Sequence, residues 1–133
     1  IHSRKKLTSR KLTRKILKAL ENKHVNIFAH PTGRIIHKRD PLDFDYEKLA
    51  ETAKKNNVAL EINSDPERLD LNYSLIRRLK QNNCKFVINT DSHISGNMEN
   101  MRYGVGQARR GWLTKDRVIN TWKLSRLLKW TNK

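Results

Sequence analysis

The chain has 133 residues, the size of one domain with a buried core. Its 29 Lys and Arg against 13 Asp and Glu give a formal net charge of +16. Such an excess favours a phosphate-bearing partner through counterion release, although a solvated basic surface would carry the same count. One cysteine, Cys84, excludes an internal disulfide and fits a reducing, cytoplasmic compartment. No apolar run approaches the roughly 18–20 residues of a membrane span, and no signal peptide is visible.

Residues 8–22 place Leu12, Ile16, Leu17 and Leu20 on one face and Arg10, Lys11, Arg14, Lys15 and Lys18 mostly around the other, which predicts an amphipathic helix capped by Thr8 or Ser9. The apolar run 25–29 predicts a buried strand, and Pro31, Gly33 and Pro41 mark residues 30–44 as a loop. Asp45 can cap a second helix to about residue 55, with Leu49, Ala50 and Ala53 inward. Residues 58–62 predict a second strand. A third helix over 71–82 buries Leu75, Ile76 and Leu79, and a third strand spans 85–89. Cys84, just before that strand, reads as a buried structural thiol. Helical segments are expected around 98–110 and 114–130.

The two strand-to-strand steps are about 33 and 27 residues, the length of a βαβ unit with a crossover helix. The expected fold class is therefore α/β, with parallel strands alternating with helices and right-handed connections. Three strands make a thin parallel sheet, which normally needs cover on both faces. With a first residue other than Met, this leads to the expectation that the chain is a portion of a larger domain.

Four residues stand at or just past strand ends: His2, His30, Asp91 and His93. The carboxyl ends of parallel strands are where ligands and catalytic groups collect in α/β folds. Asp91 and His93 are two apart, so an extended backbone would aim both into one cavity. Imidazole and carboxylate suit Zn²⁺, Mn²⁺ or Fe²⁺, and the carboxylate also accepts Mg²⁺. Each residue also has a plainer reading. His30 could be a core histidine bonded to a carbonyl, and Asp91 a turn residue accepting backbone N–H bonds. His24 lies at the wrong end of its strand, and His37 sits in a basic loop.

The runs Ile1-His2-Ser3-Arg4, Ala29-His30-Pro31-Thr32-Gly33-Arg34 and Ile88-Asn89-Thr90-Asp91-Ser92-His93 resemble the later motifs of the PHP family (polymerase and histidinol phosphatase). Glu61-Ile62-Asn63 with Arg68-Leu69-Asp70, and Met101-Arg102-Tyr103-Gly104 with Ala108-Arg109-Arg110-Gly111-Trp112-Leu113, narrow this to the C-terminal part of the PHP domain of bacterial and archaeal family X DNA polymerases. The resemblance implies a distorted seven-stranded β/α (TIM-like) barrel with up to three divalent metals at the strand ends. It implies His2 and His30 as ligands of one metal, Asp91 of a second and His93 of a third, with Asp91 and His93 also catalytic. The family's remaining ligands belong to the first half of the domain and have no counterpart in this chain, so the chain alone is expected to be inactive.

The implied activity is metal-dependent phosphoester hydrolysis at DNA 3′ ends, a 3′–5′ exonuclease or end-processing reaction in repair, with DNA and the rest of a polymerase chain as partners. Arg34, Arg4 and Arg102 are candidates for holding a substrate phosphate; a salt bridge is the plainer reading of each. Two alternatives stay open. One is a small phosphate ester such as histidinol phosphate as substrate, and the other a non-catalytic basic domain that positions DNA.

Overall fold

The computed structural model describes residues 8–132. Five helices, α1 (Ser9–Leu20), α2 (Tyr46–Lys55), α3 (Tyr73–Leu79), α4 (Met101–Arg110) and α5 (Leu124–Thr131), accompany three strands, β1 (Ile27–Phe28), β2 (Ala59–Asn63) and β3 (Lys85–Asn89). The strands form one parallel sheet in the order β1-β2-β3, with Ala59 opposite Lys85 and Asn63 opposite Asn89. The expected α/β class and parallel pairing are both present.

Alternation along the strands divides the sheet into two faces. Leu60, Ile62, Phe86 and Ile88 join the main core with Leu12, Ile16 and Leu20 of α1, Leu49, Ala50 and Ala53 of α2, and Ile76 and Leu79 of α3. On the other face Ala59 and Val87 pack against Ile119 and Trp130. The same face continues toward the carboxyl ends as Glu61 and Asn63 of β2. One face is thus apolar throughout. The other turns from apolar to polar along the strands.

Caps set two helix starts. The Asp45 carboxylate accepts the Lys48 amide at 3.0 Å and the Asn72 side chain accepts that of Leu75 at 2.9 Å. Thr8 occupies the cap position of α1 without a side-chain cap bond. Leu17 and Leu75, expected inside, are only partly buried, and Thr13 is buried instead of Leu17. The Thr13 hydroxyl accepts the Asp45 amide at 3.0 Å, which ties α1 to the start of α2.

Two expected elements differ. The first strand shrinks from 25–29 to Ile27–Phe28, because Val25 is drawn into a turn by its amide bond to the Asn22 carbonyl and His30 turns to φ 31°. The helix expected over 114–130 exists only as α5, preceded by short 3₁₀ turns. Residues 118–120 serve the sheet edge instead. Val118 bridges to Phe86, and the Asn120 side chain accepts the Ile88 amide at 2.7 Å while donating to the Ile88 carbonyl at 2.9 Å. An edge strand presents unpaired N–H and C=O groups, and this amide satisfies two of them. Among the described residues no helix is long and apolar enough to cross a membrane.

Candidate active site at the carboxyl ends of the strands

β2 ends in the centre of the site. Glu61, only 5% exposed, accepts hydrogen bonds from the His30 backbone amide, from Asn63 Nδ2 at 3.4 Å and from Asn89 Nδ2 at 2.8 Å. Asn63 Nδ2 also donates to Asp91 Oδ2 at 3.1 Å. One buried carboxylate therefore reaches the loops after β1 and β3, at His30 and, through Asn63, at Asp91. Arg68 closes the far side, its Nε 3.6 Å from Asp91 Oδ2.

The loop carrying His30 is held from behind by Asp70, which is fully buried. Its carboxylate accepts the Thr32 amide at 3.0 Å and the Gly33 amide at 2.9 Å. Burial pushes the Asp70 carboxyl above the usual aspartate range, opposed by those amide bonds and by the charge of Arg34. The Asp70 backbone pairs with Asn63, so the same segment is anchored to β2.

His30 and Asp91 both adopt left-handed backbone, with φ 31° and 54°. For non-glycine residues that region is sparsely populated and persists where surrounding bonds over-determine it. Here the clasp on Glu61, Asn63 and Asp70 does so. His93 is exposed and its Nδ1 lies 2.7 Å from the Asp91 carbonyl oxygen. A carbonyl only accepts, so Nδ1 carries the proton of the neutral ring, and Nε2 is the nitrogen with a lone pair for a metal.

The expected site residues are thus partly assembled. His30 and Asp91 are tied into one network and His93 stands beside Asp91, whereas His2 and Arg4 lie outside the described residues. Arg34 turns into the protein, with Nε and Nη2 each 2.6 Å from a backbone carbonyl, of Arg68 and Leu69 respectively. Arg102 is exposed and donates to the Tyr103 hydroxyl at 3.0 Å. Among the described residues neither makes the salt bridge of the plainer reading.

No family profile matches the chain. It is 40% identical over 120 residues, 90% of its length, to the DNA polymerase/3′-5′ exonuclease PolX of Bacillus subtilis, of which the match covers 21%. The chain is thus similar to one stretch of PolX, about a fifth of that protein's length. This agrees with the resemblance to the PHP domain of family X polymerases carried by its motifs. It is also 28% identical over 115 residues, 82% of its length, to proteins named "probable phosphatase" from Thermoanaerobacter sp. and Thermoanaerobacter pseudethanolicus. The chain spans 44% of each of those relatives.

In this PolX-like stretch the donors fit divalent metals in kind: two imidazoles and a carboxylate after β1 and β3, the strands on either side of β2. Among the described residues no three His, Cys, Asp or Glu side chains gather as one potential metal group. The residues missed in the sequence are Glu61 and Asp70, quoted only as parts of motifs. For Glu61 the signal was present: Glu61 and Asn63 put polar groups two apart at the end of an otherwise apolar strand.

Proposed function

We propose that the chain is the C-terminal portion of a PHP domain, completed by further strands into a distorted seven-stranded barrel, and that the whole protein is a cytoplasmic phosphoesterase acting on DNA 3′ ends. The supporting observation is the joining of His30 and Asp91 by Glu61 and Asn63 at the carboxyl ends of parallel strands. It occurs in a chain 40% identical to a protein named as a 3′-5′ exonuclease.

His30 and His2 would hold one divalent ion, Asp91 a second and His93, through Nε2, a third; Zn²⁺, Mn²⁺, Mg²⁺ and Fe²⁺ all suit these donors. Bound ions supply an activated water and neutralise the phosphoryl oxygens. The chain's own part is to hold those donors at fixed backbone positions. Arg34 stiffens the His30 loop through the Arg68 and Leu69 carbonyls, and Arg4 and Arg102 are left to meet substrate phosphate. Hydrolysis breaks the terminal P–O3′ bond, releases a nucleoside 5′-monophosphate and leaves a protonated 3′ hydroxyl.

The likeness to proteins named phosphatases favours a second reading, in which a small phosphate ester is the substrate. Both are tested on the full-length protein with Mn²⁺, by release of labelled nucleotide from a DNA 3′ end beside turnover of histidinol phosphate. The expected result is nucleotide release that a His30→Ala, Asp91→Ala double variant abolishes. Equal release by that variant sinks the metal-site reading, and a preference for histidinol phosphate sinks the DNA reading.

A further inference from the structure

The helices α3 and α4 lie against each other, with Gly111 so close to Ile76 that an added Cβ would stand 2.4 Å from Ile76 Cγ2. Neither helix carries an acid, and residues 71–90 and 100–115 contain no Asp or Glu. On their shared surface Arg77 sets its guanidinium 3.5 Å from the Trp112 ring centre, with Lys80 at 5.5 Å. Beside them Arg110 lies 4.2 Å above the Tyr73 ring. Backbone carbonyls hold this arrangement: Arg77 Nη2 donates to that of Arg110 at 2.9 Å and Lys80 Nζ to that of Trp112 at 3.1 Å.

Trp112 is 62% exposed, too much for a core side chain. A cation over a ring orients the charge but leaves it unneutralised. Among the described residues Arg77, Lys80, Arg109 and Arg110 make no ion pair with a carboxylate, whereas the neighbouring Arg78 pairs with Glu47. Unneutralised cations beside an indole that Arg77 covers on one face and that is otherwise exposed are the ingredients of a single-strand platform, in which phosphates follow the charge and an unpaired base stacks on the ring's uncovered face. A duplex keeps its base faces covered and cannot use Trp112 this way.

We propose that the α3–α4 face binds single-stranded DNA, with Arg77, Lys80, Arg109 and Arg110 on phosphates and a base stacked on Trp112. The choice of DNA rests on the reading of the whole protein as a DNA 3′-end hydrolase. Binding of labelled oligothymidine to the full-length protein, in chelator so that nothing is hydrolysed, tests it. Trp112→Ala is expected to weaken binding roughly five- to hundredfold, the range for removing one base stack. Trp112→Phe should retain most of the affinity. An Arg77→Ala, Arg110→Ala double variant should flatten the salt dependence by about 0.7 in log–log slope for each phosphate it no longer neutralises.

Unchanged affinity in a folded Trp112→Ala variant overturns the proposal, as does tighter binding of a duplex of equal length. Altered packing of the full-length protein in solution scattering, with oligothymidine affinity unchanged, also overturns it, in favour of a docking face for another part of the same protein. Hydrolysis is read separately, with Mn²⁺ and the His30, Asp91 variant, so either reading can fail while the other stands.

Discussion

The strand-end network and the α3–α4 face are both rich in polar groups, and they handle them in opposite ways. Glu61, Asn63 and Asp70 are buried and meet protein donors or acceptors. Arg109, Arg110 and Trp112 are exposed; Arg77, Lys80 and Arg110 lie over rings, and Arg77 and Lys80 also donate to carbonyls, without a carboxylate. Burial explains the difference. A buried polar group left unpaired costs about 1–3 kcal/mol, so the network must be complete and is therefore rigid. Exposed cations stay hydrated at little cost and remain available to a ligand. One region fixes positions, and the other offers charge.

The largest effect should come from cutting the buried network at its centre. Glu61→Ala removes the acceptor for the His30 amide and the Asn63 and Asn89 side chains. With unpaired donors at about 1–3 kcal/mol each, a loss of about 3 kcal/mol or more is expected in urea unfolding. A loss below about 1 kcal/mol would mean that water replaces the carboxylate freely and that the network does not hold His30.

α4 touches both regions, and its glycines separate them. An added Cβ at Gly104 would stand 2.0 Å from Ser64 Oγ and 2.6 Å from Ile88 Cγ2, whereas at Gly106 it would meet nothing within 4 Å. Gly104→Ala should therefore cost about 1–3 kcal/mol by overpacking against the segment after β2. Gly106→Ala should stabilise by up to about 1 kcal/mol through helix propensity. Thermal unfolding of the two variants side by side checks the pair. Equal effects would mean that α4 does not press on the site.

The alternation of apolar runs and their spacing made the α/β class legible, and β3 was readable to its last residue because its apolar run is bounded on both sides. Residues 114–121 misled, since their composition suits a helix while the open edge of β3 recruits Val118 and Asn120. His30, Asp91 and His93 were visible from their place after apolar runs. What joins them was not: Glu61 meets Asn89 across 28 residues, and Arg34 meets the Leu69 carbonyl across 35. Such contacts follow from strand register and loop docking, which local pattern does not encode.

Acid separates the regions in a further way. The Asp70 carboxyl is held above its unfolded value of 3.8 by burial, so the folded state binds its proton more tightly than the unfolded state. Asp70 therefore disfavours the fold at neutral pH, and that penalty fades as pH falls through the raised value toward 3.8. Relative to an Asp70→Asn variant, the wild-type chain should gain stability over that acidic window. Parallel stability–pH curves would mean that Asp70 titrates alike in the folded and unfolded chain.

The smallest effect is expected where the comparison is sharpest. Arg110 lies over Tyr73 on the surface, a cation–π contact of about 0.5–1 kcal/mol at exposed sites, and α4 keeps its packing through Ala108 and Gly111 without it. Arg110→Ala should thus lower stability by no more than about 1 kcal/mol, while weakening oligothymidine binding and its salt dependence. Glu61→Ala carries the opposite signature, large in unfolding and without direct bearing on the α3–α4 surface. If Arg110→Ala instead destabilised the chain as strongly as Glu61→Ala, the arginine would be holding α3 to α4. The exposed face would then belong to the scaffold, not to a ligand.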